Sequence, residues 1–134
     1  MKGLVIVLWI TSILCLLGFL GLIIPWAWFT AMLSFTDLDI SDYQGVEKYA
    51  TRISCALIGM IGIFFLILAK NPSYYGTMIS FGGYGLVALA IACLVFGIFY
   101  SFTWWNWIGD VLCSGILGIL ILYFKKRSGE IAPA

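Results

Sequence analysis

The chain has 134 residues, of which 63% are hydrophobic and 10% are charged, and its formal net charge is +1. A soluble domain carries about 25% charged residues, so this supply of polar side chains cannot cover a water-exposed surface. The small net charge gives no electrostatic basis for binding nucleic acid, and none is expected. The absence of histidine removes the commonest general base and the commonest metal ligand. Composition therefore predicts an integral membrane protein.

Four apolar runs predict four membrane-spanning helices. A helix needs about 20 apolar residues to cross a hydrocarbon core about 30 Å thick, and the runs here have that length. The first run is longer than the apolar region of a signal peptide, so we expect a retained span. We predict an all-α fold, a single transmembrane domain built as a four-helix bundle. The spans cover residues 3–25, 50–70, 77–100 and 107–124, with an outer loop at 26–49 and a basic tail at 125–134.

Proline and aromatic residues mark the ends of these spans. Pro25 stops the first span because its nitrogen cannot donate into the helical hydrogen-bond ladder. Asn71 and Pro72 are typical of an N-cap and a first helical residue, which predicts a tight turn into the third span. Tryptophan and tyrosine favour the membrane–water interface. The predicted interfacial belt comprises Trp26, Trp28, Tyr74, Tyr75, Trp104, Trp105 and Trp107.

The acidic part of the outer loop raises the question of a calcium site. Asp37, Asp39 and Ser41 match the first three ligand positions of an EF-hand loop. The glycine and the bidentate glutamate that such a loop requires are both replaced, so we predict no metal site. Ser41 with Gln44 instead forms a capping box, which predicts that the second helix begins near Asp42 and projects above the membrane.

The distribution of lysine and arginine predicts the orientation. Cytoplasmic loops carry an excess of these residues, and five lie on one predicted side against two on the other. We therefore expect both termini in the cytoplasm and location in the inner (plasma) membrane of a bacterium or archaeon. The basic tail should also attract anionic lipid. The two sets are Lys2, Lys70, Lys125, Lys126 and Arg127 inside, and Lys48 and Arg52 outside.

Small residues at helical spacing predict where helices pack closely. Both return spans contain a Gly-x-x-Gly pair followed by a basic end, and both outward spans are followed by an aromatic cluster. This weak repeat is typical of two related helical hairpins. The predicted packing residues are Gly18, Gly59, Gly62, Ser114, Gly115 and Gly118.

Arg52 and Asp110 are charged residues inside apolar runs, each about one turn from the outer end of its span. Each lies at the outer end of a small-residue stripe, so we predict that the second and fourth spans meet along these stripes. Arg52 and Asp110 would then form an intramembrane ion pair. An unpaired charge at the bilayer centre costs about 2.5–3.5 kcal/mol, less near the interface. Two alternatives are a functional site at the outer mouth, or separate contacts of both groups with lipid headgroups.

The cysteines and the remaining residues provide no catalytic pattern. The four cysteines lie in four different apolar runs without a CxxC, which indicates packing residues rather than a disulfide framework. No nucleophile stands at a suitable spacing from a base, so we expect neither an enzyme nor a cofactor.

Two functions from different classes fit this pattern. The first is a structural or accessory membrane protein that binds the lipid bilayer, a membrane-protein partner or further copies of itself. The second is a small oligomeric transporter or channel that uses an outer-leaflet site at Arg52 and Asp110. A transport path usually needs polar groups near the midplane, where this sequence has few, so the first function is favoured.

Overall fold

A computed structural model describes residues 2–33, 45–99 and 104–129, and the protein is helical in these ranges apart from residues 24–25 and the turn at 71–75. In these ranges four helices are long and apolar enough to cross a membrane, and no strand occurs. The predicted all-α, four-helix membrane architecture is therefore confirmed. The four spans are Lys2–Ile23, Gly45–Lys70, Gly76–Phe99 and Ile108–Ser128.

The first span is a helix interrupted near its end. Ile24 has an extended backbone, with ψ of 131°, directly before Pro25. Proline disfavours the helical conformation in the residue that precedes it, so the predicted stop at Pro25 has its expected local cause. The residues after Pro25 form a short further helix, whereas the sequence had predicted a loop from residue 26. The elements are α1 (Lys2–Leu16), a 3-10 turn (Leu17–Phe19), α2 (Leu20–Ile23) and α3 (Trp26–Leu33).

Three long helices complete the described chain: α4 (Gly45–Lys70), α5 (Gly76–Phe99) and α6 (Trp104–Gly129). The helix α6 continues five residues beyond the predicted end at 124, so the basic residues 125–127 belong to a helix and not to a tail. Lysine and arginine are good helix formers and are favoured in a last turn, which explains the extension. The proposed capping box and the acidic residues Asp37 and Asp39 lie outside the described residues.

The connection between α4 and α5 is the tight turn that the sequence predicts. The carbonyl oxygen of Asn71 accepts hydrogen bonds from the backbone N–H groups of Tyr74, at 3.1 Å, and Tyr75, at 3.3 Å. Pro72 lies within this turn and not in the first turn of the helix, because α5 begins at Gly76. The turn therefore uses the backbone of Asn71 rather than a proline at the first helical position.

Contacts divide the chain into two compact units, which differ in how they are packed. The first unit comprises Met1–Thr11 and Phe65–Ala134, and the second comprises Ser12–Phe64. The first unit has an apolar core. Its most deeply buried apolar side chains are Leu8, Phe65, Leu68, Ile79 and Ile121, each at most 1% exposed.

The second unit is packed on small residues. Among its described residues no large apolar side chain is fully buried, whereas Ser12, Gly21, Gly59 and Gly62 are buried. A Cβ atom added to Gly62 would lie 2.7 Å from the backbone nitrogen of Leu16. The backbones of the first and second spans therefore touch almost directly, as small residues allow in membranes.

In each unit the small-residue stripe packs within its own hairpin, and the predicted contact of the second and fourth spans along these stripes stays a prediction. In the second span, Gly59 meets the ring of Phe19 in the first span. In the fourth span, a Cβ atom on Gly118 would lie 2.9 Å from the carbonyl oxygen of Gly83 in the third. Both stripes are thus filled by the neighbour in sequence, since short connections favour packing of consecutive helices. Gly18 also packs within its hairpin, against Cys55, and Gly115 lies near Ala90.

The buried hydroxyl of Ser12 provides a first test of this packing. Its Oγ donates a hydrogen bond of 2.8 Å to the carbonyl oxygen of Gly62. Hydrogen bonds between helices in membranes contribute about 0.6 kcal/mol on average and up to about 1.7. We expect Ser12→Ala to lower the free energy of unfolding in mixed micelles by about 0.5–1.5 kcal/mol.

The neighbouring threonine is the matched control for this substitution. Thr11 is equally buried, but its Oγ1 donates to Val7 of its own helix, at 2.8 Å. Because that hydroxyl joins no second helix, Thr11→Val should be nearly neutral. Equal losses for the two variants would contradict a stabilising link between Ser12 and Gly62.

Candidate functional site

Arg52, the first residue of the predicted ion pair, is half-buried in α4 and donates to the backbone of the first span. Its Nη1 donates a hydrogen bond to the carbonyl oxygen of Gly21. Its Nη2 donates to the carbonyl oxygen of Ile24, at 2.7 Å. The guanidinium group therefore bridges the last turn of α2 and the extended residue before Pro25.

These two carbonyl groups need an outside donor because of Pro25. In a regular helix the carbonyl of Gly21 would accept from the N–H four residues later, which proline lacks. The carbonyl of Ile24 is also left over, since the first N–H groups of α3 donate to Pro25, from Trp28 at 3.0 Å and Phe29 at 3.1 Å. Arg52 thus supplies the donors that the helix break removes. A positive charge at this C-terminal end is also favoured by the helix dipole.

Two aromatic rings complete the surroundings of Arg52. Its guanidinium carbon lies 5.8 Å from the ring centroid of Trp26 and 5.9 Å from that of Phe29. The two rings are stacked, with centroids 5.4 Å apart. Lys48 places its Nζ 5.5 Å from the Trp26 ring as well. Such cation–π contacts stabilise a cation away from bulk water. We call Arg52, Gly21, Ile24, Trp26 and Phe29 the Arg52 cluster.

Asp110, the second residue of the predicted pair, lies in α6 with an exposed side chain, and its backbone carbonyl accepts a hydrogen bond from Ser114. Arg52 belongs to the second unit and Asp110 to the first, and their pairing stays a prediction. The carbonyl acceptors of Arg52 are not among the residues that the sequence predicts. A usable signal existed, because a proline at the end of a span always leaves one carbonyl without its helical donor.

A second candidate site is a groove between α5 and α6 of about 510 Å³. Lys125 is half-buried there, and its Nζ donates a hydrogen bond to the hydroxyl of Ser80. The sequence predicts Lys125 and Lys126 in a basic tail, and this contact with α5 was not predicted. We call this site the Lys125 groove. It is lined by Ser80, Tyr84, Ile119, Leu122, Tyr123, Lys125 and Lys126.

The predicted interfacial aromatic residues differ in their surroundings. Trp26 belongs to the Arg52 cluster, while Trp28 is 70% exposed. Tyr74 is 83% exposed and packs edge-on against Tyr75 in the turn before α5, with centroids 5.0 Å apart. Their position at a membrane interface stays a prediction. Trp104, Trp105 and Trp107 lie in the first turns of α6, and their side chains fall outside what the structure describes.

The remaining candidate chemistry concerns thiols and metal ligands. All four cysteines lie in the described residues, and no disulfide joins them. Cys55 packs against Gly21, where an added Cβ atom would lie 2.6 Å from the Cys55 Sγ. The thiol is therefore part of the close contact between the first and second spans. Within residues 2–33, 45–99 and 104–129 no group of three cysteine or acidic side chains is placed to hold a metal ion.

Comparison with known proteins assigns no family. No protein-family model matches the chain, and neither a curated protein nor a solved structure matches it.

Proposed function

We propose that this chain is a structural or accessory protein of the membrane, which binds lipid or a membrane-protein partner and does not itself move solutes. The observation that carries the proposal is that Arg52 donates its hydrogen bonds to backbone carbonyl groups of the first span. An intramembrane charge is a candidate for a transport site by default. Here the guanidinium group is occupied by the carbonyls of Gly21 and Ile24 and lies beside two rings, which supports a role in holding the helix break.

The buried hydroxyl groups support the same proposal. Transport paths usually present polar groups near the midplane of the membrane. Thr11, Ser12 and Ser114 are the buried polar side chains among the described residues, and each donates its proton to a backbone carbonyl. These groups are therefore used within and between helices rather than offered to a solute.

The exposed surface suits a protein that works by contact with the membrane. Large apolar side chains along the spans face outward, among them Ile23, Phe81 and Phe99, each at least 72% exposed. In a bilayer such side chains contact acyl chains or the apolar face of another membrane helix. A structural or accessory role needs no further chemistry than this.

One observation favours the alternative of a small oligomeric transporter or channel. The carboxyl group of Asp110 is exposed on a membrane-spanning helix, where an ionised group is expensive without a partner. A second copy of the chain, or Arg52 itself, would have to provide that partner. The alternative therefore requires a partner for this carboxyl group and a flux that depends on Asp110.

Reconstitution distinguishes these two functions. We expect liposomes that contain the purified protein to show the same ion leak and solute flux as empty liposomes. In mild detergent, the chain should be recovered at a fixed ratio to a membrane-protein partner, to lipid or to further copies of itself. The control is Asp110→Asn, which removes the charge but keeps the shape. A flux above that of empty liposomes that Asp110→Asn abolishes would establish the alternative.

A further inference from the structure

We propose that the Lys125 groove binds the headgroup of an anionic phospholipid. This inference rests on the proposed lipid-binding role and specifies its chemistry. The groove lies where the beginning of α5 meets the end of α6, because Ser80 lies one turn into α5 and Lys125 lies four residues before the end of α6. That end of the hairpin is also the end of two predicted spans, the depth at which headgroups lie.

The groove is formed because the two helices touch tightly on one side of it. A Cβ atom added to Gly83 would lie 2.9 Å from the side chain of Leu122. A Cβ atom added to Gly118 would lie 2.9 Å from the carbonyl oxygen of Gly83. One turn closer to the end of the hairpin, Lys125 donates its hydrogen bond to Ser80. The groove that these two residues help to line has a volume of about 510 Å³, within the usual size range of small-molecule sites, about 300–1,000 Å³.

The lining of the groove carries positive charge and contains no acidic side chain. In the sequence, residues 111–129 contain no aspartate or glutamate, and Glu130, which follows them, lies outside the described residues. The ammonium group of Lys125 has three protons, of which one is donated to Ser80. The remaining protons, the Ser80 hydroxyl and Lys126 provide the donors that a phosphate diester accepts.

The rest of the lining favours a lipid over a free phosphate ion. Ile119 and Leu122 offer apolar surface next to the donors, and a free anion cannot use that surface. Tyr84 and Tyr123 are 65% and 57% exposed, and tyrosine rings suit the boundary between acyl chains and headgroups. A phospholipid with net negative charge matches both the cationic and the apolar parts.

Lipid titration of the intact protein in a neutral detergent tests this site. The probes are short-chain phosphatidylglycerol, phosphatidylcholine of the same chain length, and inorganic phosphate, with bound lipid counted by native mass spectrometry. We expect one saturable phosphatidylglycerol site per chain, with phosphatidylcholine binding at least about five-fold more weakly. Lys125→Gln should weaken phosphatidylglycerol binding about five-fold, and Ser80→Ala should weaken it less.

The matched control is Arg127→Gln, which removes one positive charge from the same turn of α6 without changing the groove lining. It should leave the affinity unchanged. Equal losses for Lys125→Gln and Arg127→Gln, or equal binding of the two phospholipids, would overturn the site. Equal affinity for inorganic phosphate would show a free-anion site and overturn the lipid assignment.

Two provisions keep the test decisive. If Lys125→Gln does not fold, Lys126→Gln removes the second lining lysine and must show the same selective loss. Solute flux in liposomes would overturn the accessory role while leaving lipid selectivity intact. Loss of selectivity for phosphatidylglycerol would overturn the lipid site but would not change the flux measured in liposomes. The lipid site and the accessory role can therefore fail separately.

Discussion

Arg52→Ala is expected to lower the free energy of unfolding by about 2–4 kcal/mol, because it leaves two carbonyl groups at the helix break without donors. Hydrogen bonds from a charged donor contribute about 1.5–3 kcal/mol each, and the half-buried position of Arg52 reduces their sum. The cation–π contacts with Trp26 and Phe29 are lost as well. Reversible unfolding in mixed micelles measures the change. Arg52→Lys keeps the charge but not the planar fork of donors, so its loss should be intermediate.

Pro25→Ala provides the control that links this loss to the helix break. Alanine at position 25 restores the N–H that the Gly21 carbonyl would accept in a regular helix. In the Pro25→Ala background, Arg52→Ala should therefore cost at least about 1 kcal/mol less than in the native background. A double-mutant cycle with no coupling between positions 25 and 52 would show that Arg52 does not replace the missing donor.

The charge swap Arg52→Asp with Asp110→Arg separates this role from the predicted ion pair. If Arg52 and Asp110 pair, the double swap should recover part of the stability lost in either single variant. If Arg52 serves the carbonyls of Gly21 and Ile24, an aspartate at position 52 cannot donate to them, and the double swap should recover nothing. Suppose that the double swap recovers stability and that the cycle shows no coupling between Arg52 and Pro25. These two results together would contradict the assignment of Arg52 as the donor to the Gly21 and Ile24 carbonyls.

The helical class and the four spans could be predicted because the bilayer fixes the length of an apolar helix. The second span illustrates the limit of this reasoning. Hydropathy identifies only its apolar part, residues 50–70, whereas the polar start has to be predicted from the capping box at Ser41 and Gln44, which lies outside the described residues, and α4 runs from Gly45. Similarly, α6 continues through Lys125 to Gly129 because helix propensity, not hydropathy, governs its last turn.

The sequence shows which face of a helix carries small residues, but it does not show which helix packs against that face. A run such as Gly59 and Gly62 shows that a helix has a face for close approach, but any helix with a matching surface can fill it. The structure pairs Gly62 with Leu16 and Ser12 of the preceding span. Contacts between residues far apart in sequence, such as Ser80 with Lys125, depend on which helices pack against each other.

The position of Arg52 within an apolar run is visible in the sequence, but its acceptors are not, since they are backbone atoms. Sequence reasoning searches for a side chain of opposite charge, and Asp110 was the one available within an apolar run. Backbone carbonyls become acceptors only where a helix is broken. Pro25 marks such a break, and the distance in sequence between Pro25 and Arg52 conceals the connection.

Gly62→Ala is expected to destabilise the protein by about 1–3 kcal/mol, the range for overpacking a closely packed interior. The added Cβ atom would lie 2.7 Å from the nitrogen of Leu16 and 3.0 Å from the carbonyl oxygen of Ser12. Both are backbone atoms, so the clash can be relieved only by moving the helices apart. That movement would also stretch the Ser12 hydrogen bond to the Gly62 carbonyl. Ser12→Ala should therefore cost less in a Gly62→Ala background than in the native chain.

Two further glycines make the test specific to backbone contact. At Gly59 the added Cβ atom would lie 2.5 Å from the ring of Phe19, and a ring can rotate away, so Gly59→Ala should cost less than Gly62→Ala. At Gly85 nothing lies within 4 Å, and alanine there should be neutral or slightly stabilising because it favours the helix. Unfolding in mixed micelles should thus rank the losses as Gly62, Gly59 and Gly85 in decreasing order. A Gly62→Ala variant as stable as Gly85→Ala would mean that the first and second spans do not approach as closely as this contact requires.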